Sequence, residues 1–258
     1  MCVPEDASQY NGQCVYRTIV SKSEVANING IPWAPVFWKH ASGLYVYTCP
    51  LGDDEFEVTA RIRQSKALED QVSWGKSFDL EKLLPMFTDF CPPVRNILEL
   101  AAKGNTQEFA LISGPRLHSM AFGGRIAFIG DAAHALCGNF GAGAGFAMED
   151  VYTLARSLAW AYTSDHTIAE ALTLYDSIRS PHYKSLYAQI DSFAEIKRSL
   201  SAECLPIDED IEARVKRIAQ ASKTWMYYYD IVRDVNEEID RADKSGSCSA
   251  QIRDSIRL

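Results

Sequence analysis

The sequence predicts a mixed α/β (α+β) chain: an antiparallel sheet, then one strand–loop–helix unit, then a helical carboxyl-terminal region. Three observations lead there. In residues 13–20, and most cleanly in 55–63, apolar and polar residues alternate, the period of a half-exposed strand. From Ala144 onward the apolar residues recur at three- and four-residue spacing, the period of a helix packed on one side. Between the two lies a short apolar run, an acid, a glycine-rich stretch and the start of that helical pattern.

Residues 13–20, 44–48 and 55–63 read as strands, the last two joined around Gly52-Asp53-Asp54. The third is the cleanest: Phe56, Val58, Ala60 and Ile62 share one face, and Glu55, Glu57, Thr59, Arg61 and Arg63 share the other. Trp33, Phe37 and Trp38 lie near Pro32 and Pro35 and read as core-edge packing, with the aromatic wall of a pocket as the alternative. Two short helices are expected over 80–90 and 94–103, separated by Pro92-Pro93, and a strand over 108–113. A strand over 125–129 should carry Asp131 at its carboxyl end, where ligands sit in open α/β sheets.

The helix that follows should bury Ala144, Ala147, Met148, Val151, Leu154, Ala155, Leu158 and Tyr162. Ile168, Ala171, Leu172, Tyr175 and Ile178 define a second helix, ending at Arg179-Ser180-Pro181. Further helices are expected over 182–200 and 211–240, the last bearing the cluster Trp225 to Tyr229. The resulting division is 1–120 for the sheet region, 121–165 for the strand–loop–helix, 166–242 for the helices and 243–258 for a polar, frayed tail.

At 258 residues and 47% hydrophobic composition the chain can bury a substantial core. A net charge of −8 with scattered basic residues argues against nucleic acid or an anionic membrane as partner. The seven cysteines are widely spaced, odd in number and without a Cys-x-x-Cys pair, which suits reduced thiols. The five histidines lack ligand spacing, so no metal is expected. No apolar run reaches membrane length and the amino terminus is polar, so the expected location is cytoplasmic.

The segment from Gly124 to Asp150 carries most of the functional information. Gly130-Asp131-Ala132-Ala133-His134, then Gly141-Ala142-Gly143-Ala144-Gly145-Phe146, then Glu149-Asp150, fall in one register. In that register the segment resembles the second flavin-binding motif of the FAD-dependent aromatic hydroxylases, in particular the salicylate-hydroxylase-like branch common in fungal secondary metabolism. The resemblance implies a partial flavoprotein-monooxygenase fold with an antiparallel substrate-side sheet. It implies FAD as cofactor and NADPH or NADH as reductant. Asp131, at the end of the Gly130 turn, would bond a ribityl hydroxyl. The backbone of Gly143, Ala144 and Gly145 would meet the N1–C2=O edge of the flavin ring, where negative charge develops on reduction. His134 reads as a structural histidine.

Relatives in that family add O2 to the reduced flavin and deliver oxygen, through a C4a-hydroperoxide, to an aromatic or alkene substrate. Arg17 lies where several of them place an arginine that holds a phenolate, with a surface-strand arginine as the alternative reading. The tyrosine that partners it falls near Tyr45, Tyr47 or Cys49. Tyr47 is the candidate carried forward, although the strict register favours Cys49. Two departures stand beside the resemblance. Gly138-Asn139-Phe140 replaces a proline-containing run beside the flavin, and no Gly-x-Gly-x-x-Gly fingerprint for the ADP half of FAD occurs in the 258 residues. The implied function is an FAD-dependent monooxygenase that hydroxylates or epoxidises an aromatic, polyketide or alkaloid-type intermediate. The alternative is a catalytically deficient truncated homologue, or a half completed by a chain bearing the dinucleotide-binding unit.

Overall fold

The computed structural model describes residues 9–40, 42–64, 73–220 and 224–255. The chain divides into two compact units, Ser8–Ser113 and a helical unit over Gly114–Leu258.

The first unit is built on a six-stranded antiparallel sheet of order β2-β3-β4-β1-β6-β5. Its strands are β1 (Gln9–Ser21), β2 (Val36–Lys39), β3 (Tyr45–Pro50), β4 (Glu55–Arg63), β5 (Trp74–Phe78) and β6 (Thr106–Ser113). The short α1 (Lys22–Val25) follows β1, and α2 (Pro92–Ala102) lies between β5 and β6. The expected alternation on β4 holds: Phe56, Val58, Ala60 and Ile62 are buried. They pack with Cys14, Tyr16 and Val20 of β1 and Val94, Ile97 and Leu98 of α2. Burying a side chain of this size contributes about 1.5–3 kcal/mol. Pro92 and Pro93 open α2 rather than merely preceding it, because a first-turn proline has no intrahelical N–H to lose. The expected helix over 80–90 is a 3-10 helix, Leu80–Phe87, started by the Asp79 side chain accepting from the Glu81 N–H. The edge strands β2 and β5 were not legible, since each is short and lies beside proline or glycine.

The helical unit departs further from expectation. Of the strand expected over 125–129, only Ile126–Ala127 pairs, as β8, with β7 (Ala121–Phe122). The run is one arm of a two-stranded hairpin, not a strand of an open parallel sheet, because a strand forms only as far as its hydrogen-bonding partner extends. The helices are α3 (Asp131–His134), α4 (Gly143–Thr163), α5 (Ile168–Glu203), α6 (Ile207–Gln220), α7 (Thr224–Tyr227) and α8 (Ile231–Ser255). α5 runs through Pro181 where a break was expected. A mid-helix proline costs about 3 kcal/mol, and here tertiary contacts pin the helix on both sides of it. The single helix expected over 211–240 is interrupted at residues 228–230. α8 starts where the Asp230 side chain accepts from the Arg233 N–H, and it continues past Asp243. No helix among the described residues is long and apolar enough to cross a membrane.

The buried face of α4 is a correction. The expected stripe is largely exposed: Met148 at 71%, Val151 at 49%, Leu158 at 39% and Tyr162 at 92%. The buried residues are Phe146, Asp150, Thr153, Ser157, Trp160 and Ala161. A polar face is buried because Asp150 is answered by partners on α3 and α5 and the Thr153 hydroxyl by the Glu149 carbonyl one turn back, so hydrophobic periodicity pointed the wrong way.

Candidate functional site

The turn from Phe128 to His134 leads from β8 into α3. The Phe128 N–H donates to the Met120 carbonyl, which ends the hairpin. Gly130 then takes φ +55, a conformation that favours glycine, and an added Cβ would stand 3.4 Å from the Ala147 Cβ. Its N–H donates to the Asp150 carboxylate at 2.9 Å, so Gly130 shapes the turn and its amide is already engaged. Asp131 begins α3 and is exposed to solvent.

Next comes the glycine-rich loop. Its backbone bends through Cys137, Gly138, Phe140 and Gly141, all left-handed. Phe140 anchors this loop against Phe193 at 5.2 Å. α4 then begins without a side-chain cap. Its first intrahelical bond runs from the Phe146 N–H to the Ala142 carbonyl, so the amides of Gly143, Ala144 and Gly145 belong to the turn that a helix leaves open. Ala144 and Gly145 are exposed, and an added Cβ at Gly143 or Gly145 would meet nothing within 4 Å. An exposed carboxylate and an uncapped helix start, reached through open glycine backbone, fit the hydroxyl-bearing tail and electron-rich ring of a flavin.

Behind the turn lies a buried polar cluster. Asp150 accepts from the His134 Nε2–H at 2.9 Å, the Arg179 Nε–H at 2.8 Å and the Tyr183 hydroxyl at 3.0 and 3.1 Å, besides Gly130. Burial works to raise the Asp150 carboxyl, but bonds from His134, Arg179 and Gly130 prevail and hold it below the usual carboxylate range. Arg179 also reaches Glu149, Nη1 to Oε2 at 2.9 Å. Burial nevertheless leaves the Glu149 carboxyl raised. His182 stacks between Phe146 and Tyr229, with centroids 4.9 and 3.9 Å away. Burial, helped by the Arg179 charge, lowers its imidazole to about 3 and keeps it neutral. At the other end of the turn the Tyr175 hydroxyl donates to the Phe128 carbonyl at 2.7 Å.

In the sheet unit, Arg17, Thr59 and Tyr47 stand opposite one another across β1, β4 and β3, on the face away from the core. The two residues singled out from sequence therefore share one row, with Thr59 between them. Arg17 is ion-paired to Glu57 at 3.0 Å, and the Thr59 hydroxyl donates to the same carboxylate at 2.8 Å. Burial, then the bond with Cys49, raises the Tyr47 phenol to about 12. Tyr45 and Cys49, the other candidates for the tyrosine position, lie two residues to either side on the same strand face. Arg61 donates to Tyr45 and Gln13, each at 2.7 Å. Phe37 on β2 lies against Tyr45 and Tyr47, so it joins this open face, while Trp38 packs against the sheet core. Trp33 packs edge-on against Phe56 at 5.7 Å.

Sequence reasoning missed Arg179, Tyr183 and Tyr175. Their spacing of four was a usable signal, since residues at i, i+4 and i+8 share one helix face, but Pro181 suggested that the helix stopped between them.

An uncapped, glycine-lined helix start beside an exposed acid suits a flavin, and the sheet unit bears an antiparallel face of aromatic and cationic residues. The comparisons agree. Residues 111–189 match the FAD binding domain family. Salicylate hydroxylase from Pseudomonas putida is 36% identical over 240 residues, covering 89% of this chain and 53% of that protein. Among solved structures, a salicylate hydroxylase substrate complex superposes with a TM-score of 0.68 at 20% identity, over 90% of this chain and 57% of that one. CtdE in complex with FAD and its substrate superposes at 0.67 and 18% identity, over 93% and 58%. The chain is similar to salicylate-hydroxylase-like and FAD-dependent monooxygenases, and it spans about half the length of the curated relatives it matches.

Proposed function

We propose that this chain carries the flavin-ring and substrate portions of an FAD-dependent monooxygenase that hydroxylates or epoxidises an aromatic, polyketide or alkaloid-type compound of secondary metabolism. One observation carries the reading: the uncapped first turn of α4 and the exposed Asp131, inside the segment that matches the FAD binding domain. Bound FAD would pass electrons from NADPH or NADH to O2. The chain's own residues then have three tasks. Asp131 accepts a hydrogen bond from a hydroxyl of the cofactor's tail. The amides of Gly143, Ala144 and Gly145 stabilise negative charge on the ring by hydrogen bonds and the helix dipole. Arg17, in the same row as Tyr47, holds an acidic hydroxyl of the substrate in its ionised form. The wide spacing and odd number of the seven cysteines support a cytoplasmic setting.

The visible absorption spectrum of the purified chain, incubated with excess FAD and desalted, tests this. Flavin bands near one per chain support the reading, and Asp131→Asn should then lower the retained flavin. A folded, colourless protein overturns independent cofactor binding.

A specific observation favours a second reading, a half completed by a partner that bears the dinucleotide-binding unit. Met148, Val151, Leu158 and Tyr162 make an exposed apolar stripe along α4, and such stripes mark surfaces that another body covers. Under this reading a colourless chain turns yellow when the amino-terminal half of a full-length relative is supplied separately. Val151→Glu abolishes that rescue without unfolding the chain.

A further inference from the structure

The Asp150 cluster is an unusual way to hold a helical core together. Asp150 and Arg179 are both fully buried and ion-paired, and a buried ion pair is weak evidence for stability, since apolar residues of similar volume stabilise as well or better. What the cluster provides is geometry. Tyr175, Arg179 and Tyr183 form one row on α5. Tyr175 grips the turn at the Phe128 carbonyl. Arg179 and Tyr183 fix the Asp150 carboxylate, which grips the same turn at the Gly130 N–H and the His134 ring. The only residue of that turn carrying an exposed charge is Asp131, which lies between the Gly130 and His134 attachments. The row also explains why α5 must continue through Pro181: two of its members precede the proline and one follows it.

We infer that Asp150 and His134 are positioning residues, which act through the Gly130–His134 turn to aim the Asp131 carboxylate at a hydroxyl of the flavin's tail. The inference rests on the FAD reading for its ligand, although the clamp itself does not. Neither residue touches the ligand. Their contribution is to keep Asp131 in one orientation, so that binding does not have to order it.

Two measurements on the whole chain test this together. The first is FAD affinity across a cycle of His134→Leu and Asp131→Asn, with His134→Gln as the conservative variant that keeps a donor near the Nε2 position. His134→Leu should weaken FAD binding about 10-fold or more. In the Asp131→Asn background the same change should cost less than about 3-fold, because there is no carboxylate left to aim. His134→Gln should recover most of the loss. Equal losses in both backgrounds would mean a merely structural histidine and would overturn the inference. The second measurement needs no cofactor: amide hydrogen exchange at Gly130, Ala133 and His134. Exchange should accelerate about 10-fold in His134→Leu and return towards the wild-type rate in His134→Gln, with β1 unaffected. Unchanged exchange also overturns it. If the wild-type chain fails to bind FAD, the cofactor reading falls and the exchange data alone decide whether the clamp exists.

Discussion

In the sheet unit, Phe56, Val58, Ala60 and Ile62 of β4 meet α2 through apolar contact, and the opposite face carries the row of Arg17, Thr59 and Tyr47. Around the turn before α3 the same task of fixing backbone falls to Asp150, Arg179, His134 and Tyr183, all buried and all polar. The first arrangement tolerates exchange among residues of similar volume, because dispersion and burial are non-directional. The second is directional, so each member is needed by the others. The difference teaches where precision is required. A sheet that presents a broad face needs only stability, whereas a turn that presents one carboxylate needs orientation.

The largest test removes one partner from each region. Asp150→Ala leaves Arg179 buried without its main counter-ion and should cost about 3–5 kcal/mol. Phe56→Ala should cost about as much through its cavity. Chemical denaturation followed by hydrogen exchange separates them: conservative rescue should work at Phe56 with Leu and fail at Asp150 with Asn. Rescue at both sites would erase the distinction.

Acid should sharpen the contrast next. The folded His182 imidazole is lowered to about 3 from an ordinary value of 6.5, so the unfolded chain binds its proton first as pH falls. The stability its neutrality provides is complete above about pH 6.5 and is lost as pH falls towards 3, amounting to about 2 kcal/mol by pH 5. Asp150, with its carboxyl depressed, adds a loss in the same direction below the ordinary carboxylate range. Glu149, raised by burial, offsets part of it by taking up a proton in the fold. Unfolding curves at pH 7.5 and pH 5 should show the loss, and His182→Phe should flatten the segment between pH 6.5 and 5. A chain whose stability does not change over that interval would contradict a buried neutral His182.

The smallest effect belongs to the sheet's open face. Arg17 pairs with Glu57 while about half exposed, so Arg17→Ala should alter stability by less than about 1 kcal/mol. Substrate affinity, read by flavin-spectrum perturbation in the cofactor-loaded protein, should nevertheless fall. A large stability loss with unchanged affinity would make Arg17 a structural residue instead.

The legible parts of this chain are those where one residue's neighbours in sequence decide its environment. β4 was readable because its strand period is written residue by residue, and the bend at Gly130 because its left-handed backbone is a local requirement that favours glycine. α4 misled for the opposite reason. Met148, Val151, Leu158 and Tyr162 form a proper apolar stripe, yet the face that is buried is the one whose Asp150 finds Arg179 on a helix 29 residues away. Likewise Pro181 carries a genuine local penalty, outweighed by contacts on either side of it.

By itself, then, the sequence determined the order of sheet, turn and helices, the alternation of β4, and the kinship carried by residues 124–150, because these depend on short-range periodicity and backbone geometry. Tertiary structure alone decided which face of α4 is buried, that α5 continues through Pro181, and that Arg17 and Tyr47 share a row. Each of those outcomes depends on a hydrogen-bond partner or strand register supplied by residues distant in the chain, and such pairings leave no periodic trace at either end.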